Sequence, residues 1–152
     1  MPNPGRVMSK RTKMYFAPEE TIVFSAFLSN DIGAIRVNQN IVFDHVYVND
    51  FNGYHSTQGL FIVPVSGIYF FTFSLLHGYQ DNPVKPVLFK NGVIVAQAHS
   101  ELRQYEQSSQ SVILKVEAGD EIYVRNIEYS NVKYLDQLLC SFSGFILWQK
   151  QA

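Results

Sequence analysis

Positions 64–76 carry the strongest hydrophobic pattern in the chain, a turn signal followed by a run that is apolar at nearly every position. Side chains alternate across a β-strand, so the run divides into two faces. One face is predicted to carry Tyr69, Phe71, Phe73 and Leu75, and the other Ile68, Phe70 and Leu76. An antiparallel sheet usually has one face in water, and a single sandwich core accounts for only one of these faces. The pattern therefore predicts that a partner subunit or an extra covering element lies over the second face.

Short apolar segments separated by turn residues continue along the chain from Thr21 onward. Strands are predicted at 21–29, 41–48, 60–63, 68–76, 84–90, 93–98, 111–116, 121–127 and 141–148. Asn91-Gly92 lies between two of them and is the strongest short hairpin signal, because both residues tolerate positive φ. Helical periodicity is almost absent. This pattern is typical of an all-β sandwich or barrel.

Length and composition fit that interpretation and suggest how the chain is organised. Its 152 residues suit one domain, and its 12 Phe, 9 Tyr and 1 Trp favour strands and buried interfaces. Residues 1–18 carry four basic side chains and no acid, whereas the rest carries eight basic and thirteen acidic ones. We therefore predict a flexible basic lead-in over residues 1–20 and a globular domain over residues 21–150. The mildly acidic domain argues against nucleic acid as a partner.

Motifs for catalysis are absent from the sequence. The four histidines lack metalloprotease spacing, and no nucleophile elbow or phosphate-binding loop is present, so the chain is predicted not to be an enzyme. Cys140 is the only cysteine, which excludes an intrachain disulfide and a cysteine-based zinc site. No apolar span reaches the ~20 residues of a membrane helix, so membrane insertion is not expected. No secretory signal is visible, and the residues alone do not indicate a compartment.

Candidate binding residues fall in three predicted loops, 77–85, 97–110 and 128–137, because exposed loops carry many binding sites. Aromatic faces stack on sugar rings, and Arg and Lys pair with carboxylates such as that of sialic acid. The candidates for contact with a glycan or a protein are Tyr79, Asp81, Lys85, Arg103, Tyr105, Tyr129, Lys133 and Tyr134. Glu101, Glu106 and Gln107 form an oxygen-rich group, for which the alternatives are a partial calcium site and a solvated loop.

Several motifs, taken in order, resemble the C1q globular-head family of the C1q/TNF superfamily. They are Phe24-Ser25-Ala26, Phe43-x-x-Val46, Asn52-Gly53-Tyr54, Gly59-x-Phe61, Pro64-Val65-x-Gly67-Ile68-Tyr69-Phe70-Phe71, Lys90-Asn91-Gly92, Gly119-Asp120 and Ser141-Phe142-Ser143-Gly144-Phe145-Ile146-Leu147. The resemblance covers residues 21–148 and implies a ten-stranded jelly-roll sandwich that assembles as a trimer. It assigns one set of residues to the core and the three-fold contact: Phe24, Ile68, Tyr69, Phe70, Phe71, Phe142 and Phe145.

The resemblance also implies a function. Such heads are typically secreted ligand-binding modules, and we expect lectin-like recognition of carbohydrate or microbial-surface ligands in innate immunity. The alternative is a signalling or adhesion ligand that binds a protein receptor. Some members bind calcium near the trimer apex, and this similarity places Glu106 and Gln107 near one ligand position and His99 near the other. A histidine is a poor calcium ligand, so no cofactor is expected to be required, and calcium at Glu106 and Gln107 remains an alternative.

Overall fold

The computed structural model describes residues 14–128, 132–135 and 138–151, without the side chain of residue 34. Thirteen strands lie in these described ranges. They are β1 (Tyr15–Phe16), β2 (Val23–Phe27), β3 (Ile32–Ile35), β4 (His45–Asp50), β5 (Tyr54–His55), β6 (Leu60–Ile62), β7 (Gly67–His77), β8 (Pro86–Lys90), β9 (Val93–Gln97), β10 (Glu106–Val116), β11 (Glu121–Asn126), β12 (Val132–Tyr134) and β13 (Ser141–Lys150). Within the same ranges no helix is long and apolar enough to cross a membrane.

The strands form two antiparallel sheets that enclose one main core. The eight-stranded sheet has the order β3-β12-β7-β13-β2-β4, with β10 paired to β7 and β1 paired to β13. The five-stranded sheet has the order β5-β6-β11-β8-β9. Consecutive strands therefore often lie in different sheets, as in a jelly roll. The predicted all-β jelly-roll sandwich is confirmed, and the strands beyond the ten expected ones are short additions.

Aromatic rings fill the space between the sheets. The Phe24 ring stacks on Phe61 at 4.5 Å and on Tyr54 at 5.3 Å, and it meets the edge of Phe142 at 4.8 Å. Such ring pairs add to the free energy gained from burying their area. The buried Tyr54 hydroxyl donates to the Phe43 carbonyl at 2.8 Å and accepts from the Phe43 amide at 3.1 Å, so its polar end is satisfied.

The central strand β7 divides its two faces as the alternation predicts. Its odd-numbered residues are buried in the sandwich, and its even-numbered residues are only half-buried. β13 on one side and β10 on the other continue both faces. The outer face of β7 therefore lies on the surface of the monomer, on the side of the large sheet away from the core.

Strand structure extends into segments where no strand was predicted, namely the first half of β10, β12 and β3. β10 begins at Glu106 rather than near 111, because its polar first half gains stability from pairing with β7 rather than from an apolar face. Hydroxyl pairs support that pairing, with Ser74 and Ser109 oxygens 2.6 Å apart and those of Thr72 and Ser111 2.8 Å apart. β12 lies in the predicted loop 128–137 and pairs with β3, for which no element was predicted.

Part of the predicted lead-in is also ordered into the sheet. β1 pairs with the end of β13, with Tyr15 opposite Lys150 and Phe16 opposite Gln149. The Lys115 ammonium lies 5.6 Å from the centre of the Tyr15 ring and adds a cation–π contact. Residues 1–13 of the lead-in lie outside the described residues.

Candidate functional site

The loops that follow β7 and precede β10 leave the sandwich at the same end. Glu106 pairs with His77, so the segments 78–85 and 98–105 start from neighbouring strand ends. Lys133 of β12 joins them, because the Gly78 amide donates to its carbonyl at 2.9 Å and its own amide donates to the Gln80 side-chain oxygen at 3.3 Å. We name Tyr79, Asp81, Arg103, Tyr105 and Lys133 the loop-end cluster.

Two exposed tyrosine rings define one side of the loop-end cluster. The ring centroids of Tyr79 and Tyr105 are 6.3 Å apart, with 44° between the ring planes. Both side chains are largely in solvent, at 61% and 68% exposure. Exposed faces of this kind offer a stacking surface for a flat or ring-shaped ligand.

Arg103 of the segment 98–105 contacts the segment 78–85 and so links the two loops. Its amide donates to the Gln80 carbonyl at 2.7 Å, and its Nε lies 3.4 Å from an Asp81 carboxylate oxygen. Its φ of 56° is unusual for a residue other than glycine, and such conformations are concentrated at functional sites. Lys133 adds a second cation, with Nζ 4.0 Å from an Asp31 oxygen. The cluster thus presents charged hydrogen-bond donors and acceptors beside exposed rings.

Two other candidate ligand residues, Lys85 and Tyr134, have contacts apart from the loop-end cluster. Lys85 forms an ion pair with Glu128 at 3.1 Å. Tyr134 is fully buried, since it lies opposite His77 and faces the core of the sandwich, so its proposed role in ligand contact is corrected here. That burial raises the pKa of the Tyr134 hydroxyl. Tyr129 lies outside the described residues.

The oxygen-rich residues before and at the start of β10 are engaged in hydrogen bonds. A Glu106 carboxylate oxygen accepts from the Glu101 amide at 2.8 Å and from the Gln104 side-chain amide at 3.1 Å. The Gln107 side-chain amide nitrogen donates to Ser74 Oγ and to the Leu139 carbonyl, both at 2.6 Å. In the described part of the chain, no group of three or more His, Cys, Asp or Glu side chains is placed to hold a metal ion.

The outer face of the large sheet carries an apolar zone near the chain termini. The rings of Phe70 and Phe145 lie 5.4 Å apart on this face, and Phe145 is 41% exposed. Ile68 is half-buried beside them, while Ile113 and Trp148 are exposed on the flanking strands. We name Ile68, Phe70, Ile113, Phe145 and Trp148 the outer apolar zone.

The residues assigned to the core and the three-fold contact therefore separate into two groups. Phe24, Tyr69, Phe71 and Phe142 are buried inside the sandwich of one chain, and Ile68, Phe70 and Phe145 lie in the outer apolar zone. Alternation along each strand causes the division. The sequence interpretation missed Ile113 and Trp148, although placing Val112 and Leu114 on one side of their strand leaves Ile113 on the other.

Two sheets in jelly-roll order, a core rich in packed aromatic rings and loops gathered at one end are typical of a C1q/TNF-type domain. A C1q domain family model matches residues 23–147. The chain therefore belongs to the C1q domain family, and the resemblance read from the motifs is confirmed.

Curated relatives agree with this membership. Human complement C1q tumor necrosis factor-related protein 3 is 33% identical over 134 residues, which cover 87% of this chain and 53% of that protein. Human complement C1q and tumor necrosis factor-related protein 9B is 31% identical over 133 residues, which cover 85% of this chain and 37% of that protein. The chain spans about half the length of the first relative and less of the second.

Solved structures share the fold at low sequence identity. The globular domain of zebrafish complement 1qA superimposes with a TM-score of 0.70 at 16% identity, covering 84% of this chain and 98% of that domain. Murine APRIL, crystallised at pH 5.0, superimposes with a TM-score of 0.69 at 14% identity, covering 84% of this chain and all of that chain. These likenesses concern the fold alone.

Proposed function

We propose that this chain is a non-enzymatic, extracellular recognition module that acts as a homotrimer and binds carbohydrate or microbial-surface ligands at the loop-end cluster. Family membership supports a ligand-binding or signalling module in general. The observation that carries the finer proposal is the pair of exposed rings, Tyr79 and Tyr105, on the two loops that Arg103 links through its contacts with Gln80 and Asp81. A sugar ring stacks on such faces while its hydroxyls and acidic groups pair with the charges around them.

Trimer formation would raise the overall affinity of this weak, exposed site for a repeated ligand. A single shallow contact of two rings and a few charges is expected to bind sugars weakly. Three linked copies on one assembly raise the avidity, provided that the ligand is repeated on a surface. The outer apolar zone supplies the surface through which the copies would meet, because contiguous exposed apolar residues are typical of interaction sites.

A glycan and microbial-surface binding array tests the proposal. We expect binding by the unmodified chain and a loss of roughly tenfold or more in Tyr79→Ala and Tyr105→Ala, since aromatic anchors dominate such contacts. Tyr47→Ala is the matched control, because Tyr47 is also exposed, at 56%, but lies on β4. Equal losses in the control variant, or no glycan bound by any variant, would contradict carbohydrate recognition at this cluster.

The same array addresses calcium. We propose that recognition uses the loop side chains directly, because Glu106 and Gln107 are held in hydrogen bonds within the chain. Binding is then expected to survive a chelator. Loss of all binding under chelation would assign Glu106 and Gln107 to a calcium site that a partner chain completes.

The alternative function is that of a signalling or adhesion ligand for a protein receptor. Its support is that the curated relatives are named tumor necrosis factor-related proteins. Binding to a purified receptor ectodomain with no signal on the glycan array would favour this alternative. Variants of the loop-end cluster then report whether the receptor uses the same residues.

A further inference from the structure

A second group of aromatic residues lies on the outer face of the five-stranded sheet, whereas the outer apolar zone lies on the other sheet. Tyr123 of β11 pairs with Phe89 of β8, and their rings stack with centroids 5.4 Å apart and 10° between planes. With Val87 they form a small buried cluster separate from the main core. Leu60 lies opposite Tyr123 and Ile94 opposite Phe89, so an apolar row crosses four strands on this face.

Arg125 covers this row and is held in a fixed orientation. Its guanidinium carbon lies 4.4 Å from the centre of the Tyr123 ring and 5.6 Å from that of Phe89. Its Nε donates to the Asn40 side-chain oxygen at 2.6 Å, and Asn40 is itself fixed because its amide nitrogen donates to the Gln58 carbonyl at 3.1 Å. A guanidinium oriented from two sides loses little rotamer entropy when it binds a further group.

Arg125 has no acidic partner within the described ranges. Each ion pair found there joins other residues, and Arg125 is half-buried against aromatic rings rather than fully solvated. With Nε bonded to Asn40, its terminal amino groups carry four further N–H donors. A carboxylate matches two of them in a fork, and a partly desolvated setting strengthens such a pair.

We propose that this face is a docking surface for a protein segment that presents an Asp or Glu carboxylate to Arg125 and an apolar side chain to the neighbouring row. The positive charge of Arg125 favours a partner segment with an Asp or Glu side chain at this point. Ile94, at 41% exposure, and the half-buried Leu60 supply the apolar contact at the two ends of the row. Exposed aliphatic side chains favour a peptide over a sugar, which would need polar partners there. Arg and aromatic residues together are also the residue types that dominate protein–protein contacts.

Two capped peptides that differ only in charge provide the test. Acetyl-Leu-Glu-Leu-amide and acetyl-Leu-Gln-Leu-amide are titrated into the full chain labelled with ¹⁵N, and the Arg125 Nε–H signal is followed by NMR. We expect saturable shifts with the Glu peptide, with Kd on the order of 1 mM, and roughly tenfold weaker binding of the Gln peptide. Arg125→Met is expected to remove this preference. Arg36→Met, which removes an exposed arginine elsewhere, is expected to retain it.

Two further measurements test the docking surface even if Arg125→Met reduces folding. Asn40→Ala keeps the charge of Arg125 but frees its Nε, and it is expected to weaken Glu-peptide binding several-fold while the chain stays folded by circular dichroism. Glucuronate tests a sugar carboxylate, and it is expected to bind more weakly than the Glu peptide. Equal binding of the two peptides, no shift at Arg125, or tighter binding of glucuronate would each overturn docking of an acidic protein segment. None of these outcomes depends on the loop-end cluster.

Discussion

Gly144 shows at the residue scale how tightly the aromatic core is packed. A Cβ at this position would lie 2.7 Å from both the Phe24 and the Phe71 ring and 3.0 Å from the Phe70 carbonyl oxygen. Gly144→Ala is therefore expected to destabilise the fold by about 1–3 kcal/mol, because packed rings cannot move aside. Urea unfolding measures the change. Gly33→Ala is the control and is expected to be near neutral, since a Cβ there meets nothing within 4 Å.

The buried hydroxyl of Tyr69 makes the stability of the fold depend on pH. Burial raises the pKa of Tyr69 to about 12 from its ordinary value of 10, although its hydroxyl donates to the Val65 carbonyl at 2.6 Å. The folded chain then keeps a proton that the unfolded chain loses. The stability gained is complete below pH 10 and is lost as the pH rises from 10 through 12, by up to about 2–3 kcal/mol.

Urea unfolding between pH 8 and pH 11.5 checks this dependence. Tyr69→Phe is expected to be about 1 kcal/mol less stable at neutral pH, because it loses the bond to Val65, and to fall less steeply above pH 10. Tyr47→Phe, at an exposed tyrosine, is expected to follow the unmodified chain. An identical alkaline slope in Tyr69→Phe would contradict the raised pKa.

At the scale of elements, the sequence predicts those strands whose burial shows in their pattern. β7 alternates strongly and β8 and β9 flank a hairpin turn, so both features were found in advance. The sequence did not predict the first half of β10, because Gln107, Ser108 and Ser109 show no apolar alternation. These residues pair through backbone and hydroxyl groups. β3 and β12 were missed because they are short and their pairing is set by distant partners.

Side-chain hydrogen bonds join the turn of the Lys90-Asn91-Gly92 motif to the turn of the Gly119-Asp120 motif. The Asn91 side chain donates to Asp120 at 2.9 Å and accepts from the Glu121 amide at 2.8 Å, so the β8–β9 turn is tied to the β10–β11 turn. Asp120 also accepts from the Glu117 amide at 2.8 Å. A double-mutant cycle of Asn91→Ala and Asp120→Ala is expected to give a coupling energy of about 0.5–2 kcal/mol. Strict additivity of the two unfolding free energies would show that the turns are independent.

At the scale of the whole molecule, the fold determines which distant residues meet at the surface and which are buried. Tyr79 and Tyr105 are 26 positions apart, and the pairing of β7 with β10, together with backbone hydrogen bonds between the two loops, brings them together. Tyr134 occurs in a polar segment of the sequence, yet its place beside His77 turns it into the core. Arg125 gave no signal at all, since its stacking depends on the register of β8 and β11 and on Asn40. Binding sites made across strands require the tertiary fold.

The outer apolar zone makes a prediction about assembly. If copies of the chain meet through this zone, the mass in solution is three times 17.4 kDa, and light scattering coupled to gel filtration measures it. Phe145→Asp is expected to give monomers, because it places a charge in the interface beside Phe70, where its desolvation costs several kcal/mol.

Val93→Asp separates this effect from a general effect of added charge. Val93 is as exposed as the zone residues, at 63%, but lies on β9 of the other sheet, so this variant is expected to remain trimeric. Both variants are expected to stay folded, since neither side chain belongs to the main core. A monomeric mass for the unmodified chain at micromolar concentration would contradict assembly through the outer apolar zone. A trimer that persists in Phe145→Asp would instead place the contact on another part of the large sheet.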